Sequence, residues 1–99
     1  MVSREEARKY LNNAPSEHNF WVCDGSVLRN LDDLSNLLSH MNEETFSYHS
    51  NKDKNDFSNW ITDILGDKKL AEELLKAKTR NLAMKKVKER VSMLKKRAS

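Results

Sequence analysis

Residues that form turns or covalent crosslinks are scarce in this 99-residue sequence. It contains two glycines, one proline and one cysteine, Cys23. So few turn residues disfavour a sandwich or barrel built from many short strands. A single cysteine excludes an intramolecular disulfide and a cluster of thiolate metal ligands within one chain. Long helices with short connections fit better, and a reducing intracellular compartment is the expected setting.

Long apolar runs are also absent. No stretch approaches the roughly 18 residues that a membrane span needs, and the polar N-terminus is unlike a signal peptide. Apolar residues make up 37% of the chain and charged residues 33%, a polar composition for this length but not one typical of disorder. We therefore expect a single cytoplasmic domain over residues 1–99, a monomer or weak oligomer without membrane association.

Charge is distributed unevenly along the chain. Residues 1–75 hold 8 Lys or Arg against 14 Asp or Glu, whereas residues 76–99 hold 10 Lys or Arg against Glu89 alone. The formal net charge of +3 thus conceals an acidic body and a strongly basic C-terminal segment. Such a local field says more about the partners of a protein than the average charge does.

Apolar periodicity and capping residues predict a mainly α fold, a compact bundle of about five helices. The first helix covers residues 3–13, Asn30 caps a second one with a leucine stripe, and Asn42 caps a short third one. Residues 20–28 are the exception. Two short extended runs flank an Asp-Gly turn there, which predicts one short β-hairpin lying on the helices.

The clearest helical pattern occupies residues 57–65. Gly66 follows this pattern, at the position just after a helix where a left-handed backbone conformation is common. Asp56 is the predicted cap at its start, and Asp67 the predicted cap of the next helix. Thr79 can begin a last helix within the basic segment 76–98. The apolar residues that recur at helical spacing in the central pattern are Phe57, Trp60, Ile61, Ile64 and Leu65.

Several short motifs follow one another in a definite order. They are Phe20-Trp21-Val22-Cys23-Asp24-Gly25, Leu31-Asp32-Asp33-Leu34, Thr45-Phe46-Ser47-Tyr48-His49, Asn55-Asp56-Phe57-Ser58-Asn59-Trp60-Ile61, and Gly66-Asp67 with Leu70-Ala71. This order resembles a family of small archaeal and bacterial domains of unknown function, over about residues 18–75. The resemblance implies a folded prokaryotic domain and supplies no activity or catalytic residue. It leaves the basic segment 76–98 outside the family body.

His49 and Asp56 admit two interpretations. A histidine titrates near neutrality and a carboxylate can orient it, which is the arrangement of an acid–base pair. Alternatively, His49 satisfies carbonyl groups at the end of its helix and Asp56 sits in the first turn of the next one. No nucleophile, oxyanion loop or second base accompanies the pair, which favours the structural interpretation. No enzymatic activity is predicted.

No metal or other cofactor is predicted either. The imidazoles and the thiol do not recur at zinc-site spacings, and residues 51–56 lack the glycine and the terminal glutamate of a calcium loop. Cys23 is interpreted as a small apolar residue of the aromatic strand. The soft metal ligands of the chain are His18, Cys23, His40 and His49.

Aromatic side chains could stack on nucleic-acid bases. Their strand and helix spacing instead favours a role in the core, with Trp21 or Tyr48 as the one exposed exception. The six residues in question are Phe20, Trp21, Phe46, Tyr48, Phe57 and Trp60.

The last predicted helix carries an apolar seam with steps of three and four residues, about two heptads long. Positive residues flank this seam on both sides, which disfavours pairing of two identical helices. Two compatible alternatives remain: the seam docks on the acidic body of its own domain, or the basic flanks face an anionic partner. The seam consists of Met84, Val87, Val91, Leu94 and Ala98.

The basic segment is the candidate binding surface. It predicts a small protein that contacts nucleic acid without sequence preference. The alternative is a protein-interaction module whose terminal helix docks on an acidic groove. Binding to an anionic membrane is less favoured because the seam lacks Trp and Phe, and no small-molecule substrate is expected. The candidate contact residues are Lys76, Lys78, Arg80, Lys85, Lys86, Lys88, Arg90, Lys95, Lys96 and Arg97.

Overall fold

A computed structural model describes all residues, Met1–Ser99, and contains six α-helices and one two-stranded hairpin. The predicted mainly α fold is confirmed, with six helices rather than about five. The elements are α1 Arg4–Leu11, β1 Phe20–Trp21, β2 Val27–Leu28, α2 Leu31–His40, α3 Glu43–His49, α4 Asp56–Trp60 with a π-helical continuation Ile61–Leu65, α5 Lys68–Lys76 and α6 Arg80–Ala98.

Side-chain caps determine where the helices begin. Each cap accepts a hydrogen bond from a backbone N–H of the first turn, a contribution of about 1 kcal/mol. The start of α4 differs from the prediction, because Asn55 and not Asp56 is the cap. The Asp56 carboxylate is therefore available to other partners. The caps are Ser3, Asn30, Asn42, Asn55, Asp67 and Thr79.

Gly66 ends the α4 segment in the left-handed conformation, as predicted. Its φ is 86°, and its N–H donates to the carbonyl oxygen of Ile61 at 2.7 Å. Glycine adopts this conformation without the steric penalty of a side chain. The chain therefore reverses within one residue, and α5 starts immediately after the buried Asp67.

The hairpin is held by its inward face. Phe20 pairs with Leu28 and Trp21 with Val27. Because side chains alternate along a strand, Phe20 and Leu28 are buried whereas Trp21 and Val27 face outward. The Phe20 ring stacks on Phe57 with centroids 5.2 Å apart. This contact fastens the hairpin to α4.

Helix α6 is part of the core. It packs against α1, α2 and α5, and Ala83, Val87, Val91 and Leu94 are buried within the same apolar cluster as the leucines of α2. Met84 and Ala98, at the ends of the predicted seam, are partly buried against this cluster. The seam therefore docks on its own domain. This leaves the opposite face of α6 as the surface that can meet a partner.

Candidate nucleic-acid interface

Docking of α6 separates the ten predicted contact residues into engaged and free cations. Arg90 belongs to the engaged group. Its guanidinium Nε and Nη2 lie 2.9 and 2.8 Å from the two carboxylate oxygens of Asp67, and its side chain is only 11% exposed. The hydrogen bond to Asp67 raises the pKa of Arg90 above its usual value. Arg90, a predicted contact residue, is therefore not free for a partner, because its side chain ties α6 to the start of α5.

Two further arginines secure the ends of α6. The Arg80 side chain is 19% exposed and pairs with Glu43 at 3.3 Å, while also donating to the carbonyl of Leu38. Arg80, a predicted contact residue, is therefore largely withdrawn from solvent. Arg97 donates through Nε to the carbonyl of Val2 at 2.7 Å. Both arginines are thus occupied by the body of the protein.

Two lysines of α6 form ion pairs at the surface. Lys95 Nζ lies 3.0 Å from Asp32, with the two side chains 57% and 49% exposed. Lys86 lies 3.9 Å from Glu73. Exposed pairs of this kind contribute about 0–1 kcal/mol. Lys95 can therefore leave the Asp32 carboxylate and pair with a phosphate at little cost in free energy.

Five lysines remain exposed and outside any ion pair: Lys76, Lys78, Lys85, Lys88 and Lys96. Three of them lie on α6 and, together with Lys95, follow one another in steps of three, seven and one residues. This spacing keeps side chains on one side of a helix. We define the lysine stripe as Lys85, Lys88, Lys95 and Lys96.

The lysine stripe has the charge and length of a phosphate-tracking surface. At about 1.5 Å per residue, it covers roughly 17 Å along α6. The exposed Ser92 lies within it, and Glu89 is the single acid on the helix. The remaining surface of the domain is acidic on balance, since residues 1–75 carry 14 acids and 8 basic residues. Positive potential is therefore concentrated along α6.

The six aromatic residues considered for base stacking divide into four core residues and two exposed ones. Phe20, Phe46, Phe57 and Trp60 are buried, as predicted. Trp21 and Tyr48 keep 71% and 59% of their surface exposed. One of these two residues was predicted to be the exposed exception, and both are exposed. Strand alternation turns Trp21 away from the buried Phe20, and Tyr48 lies on the outer side of α3.

His49 connects the hairpin to α4. Its Nε2 accepts the Cys23 backbone N–H at 3.0 Å, and Nδ1 lies 3.0 Å from Asp56 Oδ2. The proton must therefore reside on Nδ1. The imidazole is buried against the Phe20 ring, with centroids 5.1 Å apart. The interpretation of His49 as a partner of helix-end carbonyls is wrong, because both ring nitrogens are taken by these other groups.

Asp56 and Cys23 complete this cluster. Burial alone would raise the pKa of Asp56, but hydrogen bonds from Lys54 and His49 outweigh burial and hold the pKa below its usual value. Asp56 is thus an ionised acceptor at neutral pH. Cys23 is exposed, contrary to the prediction, because the chain leaves the strand there to enter the turn.

Replacement of His49 by leucine is expected to destabilise the fold by about 1–3 kcal/mol, because the Cys23 N–H loses its acceptor and Asp56 loses its donor. Urea unfolding measures this change. The matched control is His40→Leu, since His40 is exposed and bonds only the Asn36 carbonyl in its own helix. Equal effects of the two substitutions would contradict the connecting role of His49.

The side chains form no group of three or more His, Cys, Asp or Glu that could share a metal ion. Helix α6 is the longest helix and is charged along one face. No helix combines the length and apolarity required to cross a membrane.

Comparison with protein families gives a match over most of the chain. No curated protein and no solved structure matches the chain. A family of unknown function, DUF5752, matches residues 26–98. The match begins within the hairpin and runs through α6, whereas the resemblance noted above covered residues 18–75. The basic helix therefore lies inside the family domain. Since the match covers most of the chain, this protein belongs to the DUF5752 family of unknown function.

Proposed function

We propose that this protein binds nucleic acid without sequence preference through the lysine stripe, in the cytoplasm. The supporting observation is that four lysines remain exposed on one face of α6 after its apolar face is buried. Lysine ammonium groups displace counterions from phosphates and contribute most of non-specific affinity. Phosphate contacts of this kind position a protein without reading sequence.

The engaged arginines strengthen the case for non-specific binding. Arginine is the usual side chain for bidentate recognition of guanine. Arg80 and Arg90 are held by Glu43 and Asp67, so the stripe presents only point charges on flexible stems. A non-specific dissociation constant of roughly 10⁻⁴ to 10⁻⁶ M at physiological salt is the expected range.

The test compares two charge-matched double variants. Lys85→Gln/Lys88→Gln removes two charges from the lysine stripe, and Lys9→Gln/Lys68→Gln removes two exposed charges from α1 and α5. Binding of labelled random-sequence DNA is followed by fluorescence anisotropy between roughly 50 and 200 mM salt. The stripe variant is expected to bind more weakly, with a duplex salt slope shallower by about 1.8.

The control variant should keep the slope of the parent protein, because its two lysines lie outside the stripe. If both variants lose the same affinity, the attraction comes from overall charge and the stripe has no special role. Millimolar affinity at roughly 50 mM salt, or affinity that does not weaken as salt rises, would refute nucleic-acid binding.

A protein-interaction module is the second candidate. The observation in its favour is the outward face of the hairpin, where Trp21 and Val27 are paired neighbours, 71% and 37% exposed. Large aromatic residues are enriched at protein interfaces. The seam of α6 is already buried in its own domain, so a protein partner would meet this face or the lysine stripe. Affinity capture with and without nuclease treatment separates the two candidates.

A further inference from the structure

A cleft of about 460 Å³ lies beside the start of α6. One wall is the loop of residues 50–55, and the other is the connection from α5 to α6. Three lysines and one acid line it: Lys52, Lys54, Lys78 and Asp53. Its volume is within the range of roughly 300–1,000 Å³ that is typical of ligand sites. The cleft is therefore large enough for one nucleotide, and Lys52 and Lys78 leave it positive on balance although Lys54 pairs with Asp56.

The loop wall is fixed by hydrogen bonds. The Asn51 side-chain oxygen accepts the backbone N–H groups of Asp53 and Lys54 at 2.9 and 3.2 Å. The Asn55 side chain donates to the Leu74 carbonyl of α5 at 3.2 Å. These bonds give the loop one conformation and attach it to α5. A ligand would meet a preformed cleft, which reduces the entropy lost on binding.

Tyr48 does not line this cleft, but its ring lies beside Lys54, which does. Lys54, which lines the cleft, places its Nζ 4.7 Å from the centroid of the Tyr48 ring. The ring is nevertheless 59% exposed. An exposed aromatic ring beside lysines is the combination used to bind single strands, because bases stack on the ring while ammonium groups hold the phosphates.

The other side of the cleft leads to α6. Lys78 lines the cleft, and Thr79 caps α6 immediately after it. Lys76 and Lys78 are both exposed cations outside any ion pair. A strand leaving the cleft on this side would meet the first turn of α6 and, farther along that helix, the lysine stripe.

We propose that the cleft holds one nucleotide of a single-stranded nucleic acid, with its base on Tyr48 and its phosphate between Lys52 and Lys78. This proposal rests on the proposed function and specifies its partner as a single strand. In a duplex the bases are already paired and stacked inside the helix, so they cannot reach an aromatic ring. Single strands should therefore bind more tightly than duplexes of equal length.

The experiment titrates three probes: short oligothymidylate, a duplex of equal length, and thymidine monophosphate. The variants are Tyr48→Ala, the conservative Tyr48→Phe, and Trp21→Ala as the control for the other exposed aromatic residue. Tyr48→Ala is expected to weaken oligothymidylate binding by about 5- to 150-fold. The Tyr48→Phe and Trp21→Ala variants should bind oligothymidylate as tightly as the parent protein does. Duplex binding should be the same in all variants.

The outcomes separate this proposal from the proposed function. If Tyr48→Ala and Trp21→Ala behave alike, or duplex binds as tightly as the single strand, the cleft proposal is overturned. The lysine stripe would still stand if Lys85→Gln/Lys88→Gln weakens both probes. If oligothymidylate depends on Tyr48 but not on the stripe, the cleft is supported and the proposed function fails. If thymidine monophosphate binds and oligothymidylate does not, the cleft is a mononucleotide pocket and the single-strand proposal is overturned.

Discussion

Removal of residues 78–99 is expected to abolish cooperative folding, and not merely nucleic-acid binding. Helix α6 supplies Ala83, Val87, Val91 and Leu94 to the core. Each fully buried valine or leucine contributes about 1.5–3 kcal/mol. Truncation would also expose the faces of α1 and α2 on which α6 packs. The combined loss is comparable with the roughly 5–15 kcal/mol that stabilise a typical domain.

Thermal unfolding followed by far-ultraviolet circular dichroism measures this effect. The truncated chain should show a broad, non-cooperative melt with reduced helicity. Lys85→Gln/Lys88→Gln in the full chain is the control, because it alters the same helix only on its exposed face. A sharp transition at the parental temperature in the truncated chain would mean that α6 does not belong to the core.

Asp67→Ala is expected to destabilise the protein by about 3–5 kcal/mol, because it leaves the Arg90 charge unpaired in a low-exposure site. Asp67 is fully buried, and both its oxygens accept hydrogen bonds from the Arg90 guanidinium. The same carboxylate caps α5 by accepting the Leu70 N–H at 3.3 Å. Loss of the cap adds about 1 kcal/mol. Chemical denaturation of the variant measures the sum.

Two comparisons identify the origin of the loss. Asp33→Ala breaks the exposed pair with Arg29 and should cost about 0–1 kcal/mol, because that arginine side chain is 59% exposed. The double variant Asp67→Leu/Arg90→Met removes both buried charges and should be more stable than Asp67→Ala. If the double variant is the less stable one, the unpaired charge is not what destabilises Asp67→Ala.

The sequence alone predicted most of the fold correctly. Capping residues mark their helices through bonds to backbone N–H groups within three residues, so their meaning is local and readable. This holds for Ser3, Asn30, Asn42, Asp67 and Thr79. The apolar seam of α6 and the left-handed Gly66 follow from the same short-range geometry. The hairpin follows from its turn residues.

The candidate site was predicted only in part. The concentration of positive charge in residues 76–99 is a property of composition, and it directs attention to α6. The cleft beside Tyr48 could not be found in this way, because residues 50–55 and Lys78 are brought together by the packing of α5 on α4. An exposed tyrosine and a buried one look alike in sequence.

Tertiary structure alone decided which charges are free. Arg90 and Lys88 both belong to the basic segment, but Asp67, 23 residues away from Arg90, buries one of them in an ion pair. Likewise, the Cys23 N–H and Asp56 determine what His49 does. Caps and periodicity act over a few residues and are therefore written in the sequence. Pairing and burial depend on groups that only the folded chain brings within about 3 Å of each other.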